Sequence, residues 1–207
     1  MSKKTMSGDA IQSSGWSGAV VSPLLKDAAL VVGASLLMAV CAHVSVPLVF
    51  SPVPLTLQTF GVLLIALTLG SKRGFTALAL YLLEGASGLP VFSPAGPGGI
   101  AQLLGPTGGF LMAYPLAAFV GGYIFERNAP RKVLSGAFGA AIFAAVVAEI
   151  VLFSSGMAWL KFLSGVSFAK AAAMAITPFI PGEVLKIAAA AAIVPRFNRK
   201  TKRDSST

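Results

Sequence analysis

The chain has 207 residues, of which 56% are hydrophobic and 11% charged, and its mean hydropathy is +0.82. That is far from a soluble domain, where about a quarter of residues are charged, and leaves room for about six membrane spans of roughly 20 residues. The net charge of +9 does not point to nucleic acid, because the basic residues flank apolar runs and form no stripe with aromatics; the lone Cys41 excludes a disulfide framework or a cysteine metal cluster.

Residues 1–22 are polar and read as a disordered tail. The apolar run that follows Lys3 and Lys4 starts only near Pro23 and is long enough to be a span and not a cleavable signal. The first span is expected from Leu24 to Val46. Within it small residues recur four apart, Ala29 with Gly33 and Ser35 with Ala39, a spacing that lets helices approach closely in lipid. Pro47, Pro52 and Pro54 then exclude continuous helix, since each removes a donor and restricts the residue before it. The second span, Leu55 to Gly70, carries Thr56, Gln58 and Thr59 near its start, and Ser71 to Gly74 forms a turn. The third span, Phe75 to about Leu89, contains Tyr81 and Glu84.

The connection over 88–109 is too apolar for a solvated loop and too rich in Gly and Pro for a helix. Irregular backbone of that kind is tolerated at membrane depth only where protein buries it or it lines a cavity, so a loop folded back onto the bundle is expected. The fourth span runs from Phe110 to Phe125, a basic turn covers Glu126 to Lys132, and the fifth span runs from Val133 to about Phe153 with Glu149 inside it. Met157 to Leu163 reads as a short interfacial helix, with Trp159 and Lys161 at headgroup level. An Ala-rich helix over Ser167–Ile176, a break at Thr177 to Gly182 and a sixth span from Glu183 to Ile193 complete the membrane domain, 23–195, ahead of a basic tail over 196–207.

The placement of the 16 Lys and Arg sets an orientation. Lys26, Lys72, Arg73, Arg127, Arg131, Lys132 and the basic residues of both tails fall at the chain ends or in alternate connections; Lys161, Lys170 and Lys186 are the exceptions. Short loops rich in Lys and Arg stay on the cytoplasmic side, so both termini are expected inside and the Pro/Gly-rich connections outside.

Glu183 and Lys186, at i, i+3 near the start of the last span, are the sharpest chemical candidates. An ionised side chain in a span normally faces a cavity or a partner. They form either a structural ion pair or a ligand site, in which Lys186 donates to a carboxylate and Glu183 accepts from N–H groups, beside free N–H groups of the helix start. Glu84 and Glu149 are weaker candidates, and Gln58 reads either a ligand amide or nearby irregular backbone. Gly85-Ala86-Ser87-Gly88 matches a short pattern of intramembrane serine proteases, but such an enzyme needs a histidine beside the serine and His43 sits at the end of the first span. No catalytic set, metal-ligand spacing or P-loop is present, so the chain does not hydrolyse ATP unaided.

Four ordered blocks carry a family resemblance: residues 45–59 (SVPLVFSPVPLTLQT), 81–92 (YLLEGASGLPVF), 104–109 (LGPTGG) and 178–186 (PFIPGEVLK). Over about 28–195 the chain resembles BioY, the biotin-specific S-component of energy-coupling factor (ECF) transporters. The resemblance implies an all-α integral membrane protein of six transmembrane helices, in the cell (inner) membrane, with outer loops forming the substrate pocket and no cofactor. It implies high-affinity capture of biotin with Gln58, Tyr81, Thr107, Gly108, Glu183 and Lys186 as substrate-binding residues. It also implies docking through Gly33, Ser35 and Ala39 onto a transmembrane coupling protein driven by two cytoplasmic ABC-type ATPase subunits. Glu183 stands where the family usually has aspartate, and His43 where it commonly has glutamine. A related S-component for another vitamin is the nearest alternative.

Overall fold

The structure, a computed structural model, describes residues 22–49, 51–129 and 134–204, except the side chains of 134–135 and 195–204. Of the segments read above, nearly all of the 1–22 tail, Phe50, Arg131 and Lys132 lie outside the described residues. The described chain is mostly helical. Pro23–His43 (α1), Gln58–Ala86 (α2), Gly108–Asn128 (α4) and Leu134–Ser164 (α5) contain runs long and apolar enough to cross a membrane. Phe168–Ala175 (α6) and Ile180–Asp204 (α7) form a fifth such unit if taken together, bent by 52° at the intervening break. Ser22 caps α1, its hydroxyl accepting from the Leu25 N–H at 3.3 Å, with Pro23 at the first helical position, where its missing N–H costs nothing.

The 47–54 connection folds as a hairpin, a structure the proline count excluded from being helix without naming. Ser45–Leu48 (β1) pairs antiparallel with Ser51–Thr56 (β2), Ser45 opposite Thr56 and Leu48 opposite Ser51, with an irregularity between Val46 and Leu48 at Pro47. Prolines are tolerated here because each strand of a two-stranded ribbon is an edge. Ser51 buries its hydroxyl and donates to the Met174 carbonyl of α6 at 2.8 Å, which seats the ribbon on the bundle.

α2 reverses direction. Gly70 adopts φ 80°, ψ −178°, and the Gln58 amide reaches the Tyr81 hydroxyl at 2.9 Å. A straight helix would separate residues 23 apart in sequence by about 34 Å. The second and third expected spans are therefore the two arms of one helical hairpin, 58–69 and 71–86. The turn is held from outside: Glu126 of α4 accepts from the Ser71 N–H and from the Ser71 hydroxyl, both at 2.9 Å. Gly122 of α4 passes so close that a Cβ there would lie 2.5 Å from the Ser71 nitrogen. Small residues continue the contact, Gly121 against Ala148 and Ala66, as close helix approach in lipid requires. Tyr81, Met38, Leu63, Ile65, Leu78, Leu111 and Leu152 form the fully buried centre.

Three expectations change. The 88–109 connection does include a helix, Gly99–Leu104 (α3), entered through Gly98 and Gly99 at positive φ, so its glycines permit a short helix instead of forbidding one. Met157 to Leu163 is no separate interfacial helix but the last turns of α5, since nothing between Phe153 and Ser164 interrupts the hydrogen-bond ladder. α7 begins at Ile180, one turn before the expected start, because Pro181 is acceptable in the first turn; it runs on to Asp204 through the stretch expected as a tail.

The α2 turn yields a prediction. Glu126→Ala strips two acceptors from Ser71, which is buried, and should destabilise the protein by about 1–3 kcal/mol, seen as a lower thermal midpoint in detergent. Glu126→Gln, which keeps one acceptor, should fall between alanine and wild type.

Candidate ligand-binding site

Lys186 projects from α7 into a junction of three elements. Its ammonium donates to the Thr56 carbonyl at the end of β2 (2.7 Å), to the Thr59 hydroxyl on α2 (2.9 Å) and to the Glu183 carboxylate (2.8 Å). Three donors meet three acceptors, and the side chain is 11% exposed. Thr59 passes its own hydrogen on to Glu183, 3.0 and 2.8 Å from the two carboxylate oxygens. The i, i+3 spacing anticipated this pair. It did not anticipate Thr59 as the hydroxyl relay, although Thr59 is a polar residue near the start of a span. The Glu183 N–H is not a free donor, since it bonds the Phe179 carbonyl at 2.9 Å; the earlier start of α7 is the reason.

Around this junction lies a cavity of about 40 Å³, lined by Thr56, Gln58, Thr59, Glu183 and Lys186 with Thr107, Ser93 and Gln102 from the 88–107 loop. Phe110, Tyr114, Phe153 and Phe179 supply its aromatic wall. That volume holds a few water molecules, so a larger ligand must displace the loop or the ribbon. The loop is fastened at discrete points. Tyr81 donates to the Val91 carbonyl at 3.1 Å, Gln102 accepts from the Gly98 N–H at 3.1 Å, Trp159 donates to the Gly105 carbonyl at 2.9 Å, and Ser93 meets Ser45 at 2.9 Å. Gly85 admits the Phe92 ring, which packs edge-on against Tyr81 with centroids 5.4 Å apart; any Cβ at Gly85 would sit 2.1 Å from that ring.

Of the residues singled out in the sequence, Gln58, Thr107, Glu183 and Lys186 line this cavity. Tyr81 lies behind Gln58, fully buried, and Gly108 lies at the first position of α4, pressed against the Leu103 carbonyl. Sequence reasoning missed Ser93 and Gln102; the Gly/Pro-rich run around them hid which polar side chains turn inward. Gly33, Ser35 and Ala39 do not share one surface. Ser35 is fully buried and donates to Glu84, Ala39 is half-buried against the core, and Gly33 is exposed with no atom within 4 Å of where a Cβ would stand. The serine-hydrolase alternative finds no support. The Ser87 hydroxyl donates to the Glu84 carbonyl at 2.7 Å and the His43 ring contacts the Ala39 carbonyl at 2.8 Å, so neither is bonded to the other.

The chain is similar to the crystal structure, at 2.1 Å, of the S-component for biotin from an ECF-type ABC transporter, with a TM-score of 0.73 and 25% identity over 85% of this chain and 92% of that one. The class is thereby defined as a multi-pass membrane protein with the S-component fold. The BioY family model matches residues 6–203, and this chain belongs to the BioY family. It is 37% identical over 163 residues to the biotin transporter BioY of Thermotoga maritima (79% of this chain, 90% of that protein). It is 39% identical over 144 residues to the biotin transporter BioY of Rhizobium etli (69% and 76%).

The buried pair makes a thermodynamic prediction independent of any ligand. Lys186→Met and Glu183→Leu each strand one charge and should each destabilise the fold by about 3–5 kcal/mol, whereas the double variant should lose less than either. Thermal midpoints of the three variants in one detergent decide it; additive losses would mean the two side chains do not act as a pair.

Proposed function

We propose that this chain is the high-affinity biotin-binding membrane subunit of an uptake system, energised by a transmembrane coupling protein and two cytoplasmic ABC-type ATPase subunits. The carrying observation is the Glu183–Lys186–Thr59 cluster, a buried acceptor and a buried donor side by side at a mouth closed by polar loops. Biotin has one carboxylate and a cyclic urea with N–H donors, and the cluster offers a cation for the first and an acceptor for the second. Gln58, Thr107 and Ser93 supply further polar contacts, and the aromatic wall suits the apolar rings and tail. Tyr81 and Gly108 act by position, Tyr81 orienting the Gln58 amide and Gly108 letting α4 begin against the loop.

In this reading α1, the two arms of α2, α4, α5 and the bent α6–α7 unit make six crossings, which the reversal of α2 at Gly70 supports. The turn of α2 is bonded to Glu126, and Arg73 is paired with Asp27 of α1 at 2.7 Å. Lys26, Lys72, Arg73 and Arg127 therefore gather at one end, which supports a cytoplasmic placement of that end in the cell membrane and of both termini with it. The opposite end carries the cavity. For docking onto the coupling protein, Gly33 on the exposed face of α1 is the residue to test, with Leu36, Leu37 and Val40 beside it.

Calorimetry against a vitamin panel tests the assignment directly, and a wild-type protein that binds another vitamin but not biotin would sink it. Lys186→Ala should weaken biotin by about 30-fold to several thousandfold, the usual result of removing one partner of a desolvated charge pair. Biotinamide should lose a similar factor against wild type and little against the variant, which separates loss of the contact from damage to the fold.

Gly33→Trp should leave biotin binding intact and abolish ATP-driven uptake in cells that contain the coupling module. Uptake that survives the substitution would exclude that face of α1 as the docking surface.

A further inference from the structure

Glu149, near the middle of α5, is 6% exposed, and neither of its carboxylate oxygens has a hydrogen-bond partner. Its neighbours make this unusual. With Glu183 it lines a second cavity, of about 360 Å³, between α5 and α7, whose other walls are Ser154, Phe153 and aliphatic side chains such as Val146, Ile150 and Ile176. Glu183 and Phe153 border both cavities. Glu149 thus stands behind Glu183, on the side away from the polar mouth. The charged groups that act on it are Glu183 and Lys186, both from α7. Tyr114 of α4 faces the same cluster, α2 reaches it with the Thr59 hydroxyl already given to Glu183, and Lys170 of α6 is exposed. Lys186 has no hydrogen left for Glu149, because its three are spent on Thr56, Thr59 and Glu183.

Charge counting decides what such a group does. With both glutamates ionised and one lysine to balance them, the cluster is negative before any anion enters it. A carboxylate ligand would then add to a net negative charge in a medium of low dielectric, where like charges repel strongly. With a proton on Glu149 the cluster is neutral, and the two facing carboxyls gain the donor that neither has when both are ionised. We infer that Glu149 is a positioning residue that carries a proton and so keeps the Glu183–Lys186 pair neutral overall, which makes the cavity receptive to a monoanionic carboxylate ligand. This rests on the proposed carboxylate contact of Lys186. It assigns the ligand requirement to a residue outside the lining of the binding cavity. Losing the Glu149 proton should expel the anion without any change in the contacts that touch it.

Infrared difference spectra of the full chain in detergent, taken across a pH series, should contain the carbonyl band of a protonated buried carboxyl, and Glu149→Gln should lack it. Calorimetry with biotin over the same series should give Glu149→Gln an affinity near wild type at neutral pH, because the amide is the neutral isostere. Towards alkaline pH the wild type should lose affinity by up to tenfold per pH unit once Glu149 ionises, and the variant should hold its affinity over the same range. Glu149→Leu, neutral and without an amide to place, should behave like the glutamine variant. Superimposable pH profiles in wild type and variants, or an infrared band that survives Glu149→Gln, would overturn the inference. A wild type that fails to bind biotin at any pH would instead overturn the functional reading, and the infrared comparison would still decide the state of Glu149.

Discussion

A single ammonium group draws together the cavity-bearing half of this protein. Lys186 bonds the last residue of the β-ribbon, the first turn of α2 and its own helix through three short contacts, and the Thr59 hydroxyl adds a second link from α2 to α7 at Glu183. In water such a lysine would be worth little. Here it is almost wholly removed from solvent, so every hydrogen must find an acceptor, and the requirement fixes where β2 ends, how α7 is rotated and which face Thr59 presents. The arrangement is also exchangeable. A ligand carboxylate can replace one of the three acceptors without leaving the ammonium short, so the group that holds the site closed is chemically suited to receive its occupant.

The opposite half is held differently. There the backbone itself is brought within contact distance by glycine and alanine: Gly121 on Ala148, Gly122 on the α2 turn, Gly74 on Ala118. Glu126 completes that turn with two bonds to one residue. The exposed Arg73–Asp27 pair adds little, since both side chains are about half accessible and salt screens them. Close packing thus holds one end, and discrete hydrogen bonds hold the loops at the cavity end.

Much of this was legible in the sequence where physics acts over a few residues. Apolar length gave the membrane class and the segments that become α1, α4 and α5, and prolines marked where helix stops. The i, i+3 spacing of Glu183 and Lys186 put both on one face, which is where they are found. What escaped depends on contacts distant in sequence. Pro47, Pro52 and Pro54 say what the 47–54 segment cannot be, whereas its ribbon is set by Ser51 reaching Met174, 123 residues away. Ser35 and Ala39 show the small-residue spacing of a docking motif, yet a serine hydroxyl in lipid seeks an acceptor, and Glu84 lies inward. Spacing reports a face; only the neighbours tell which way the face looks. Gln102 and Ser93 were hidden for the same reason, because a glycine-rich loop has no period from which direction could be read.

Glu183 and Phe153 border two cavities, one polar and one greasy. One carboxylate and one phenyl ring therefore stand between the polar cavity and the apolar cleft of α5 and α7. A lipid chain lodged in the α5–α7 cleft would rest against Glu183 and Phe153, the two side chains that also border the polar cavity. A change in lipid packing at that cleft would then reach the polar cavity through one carboxylate and one phenyl ring.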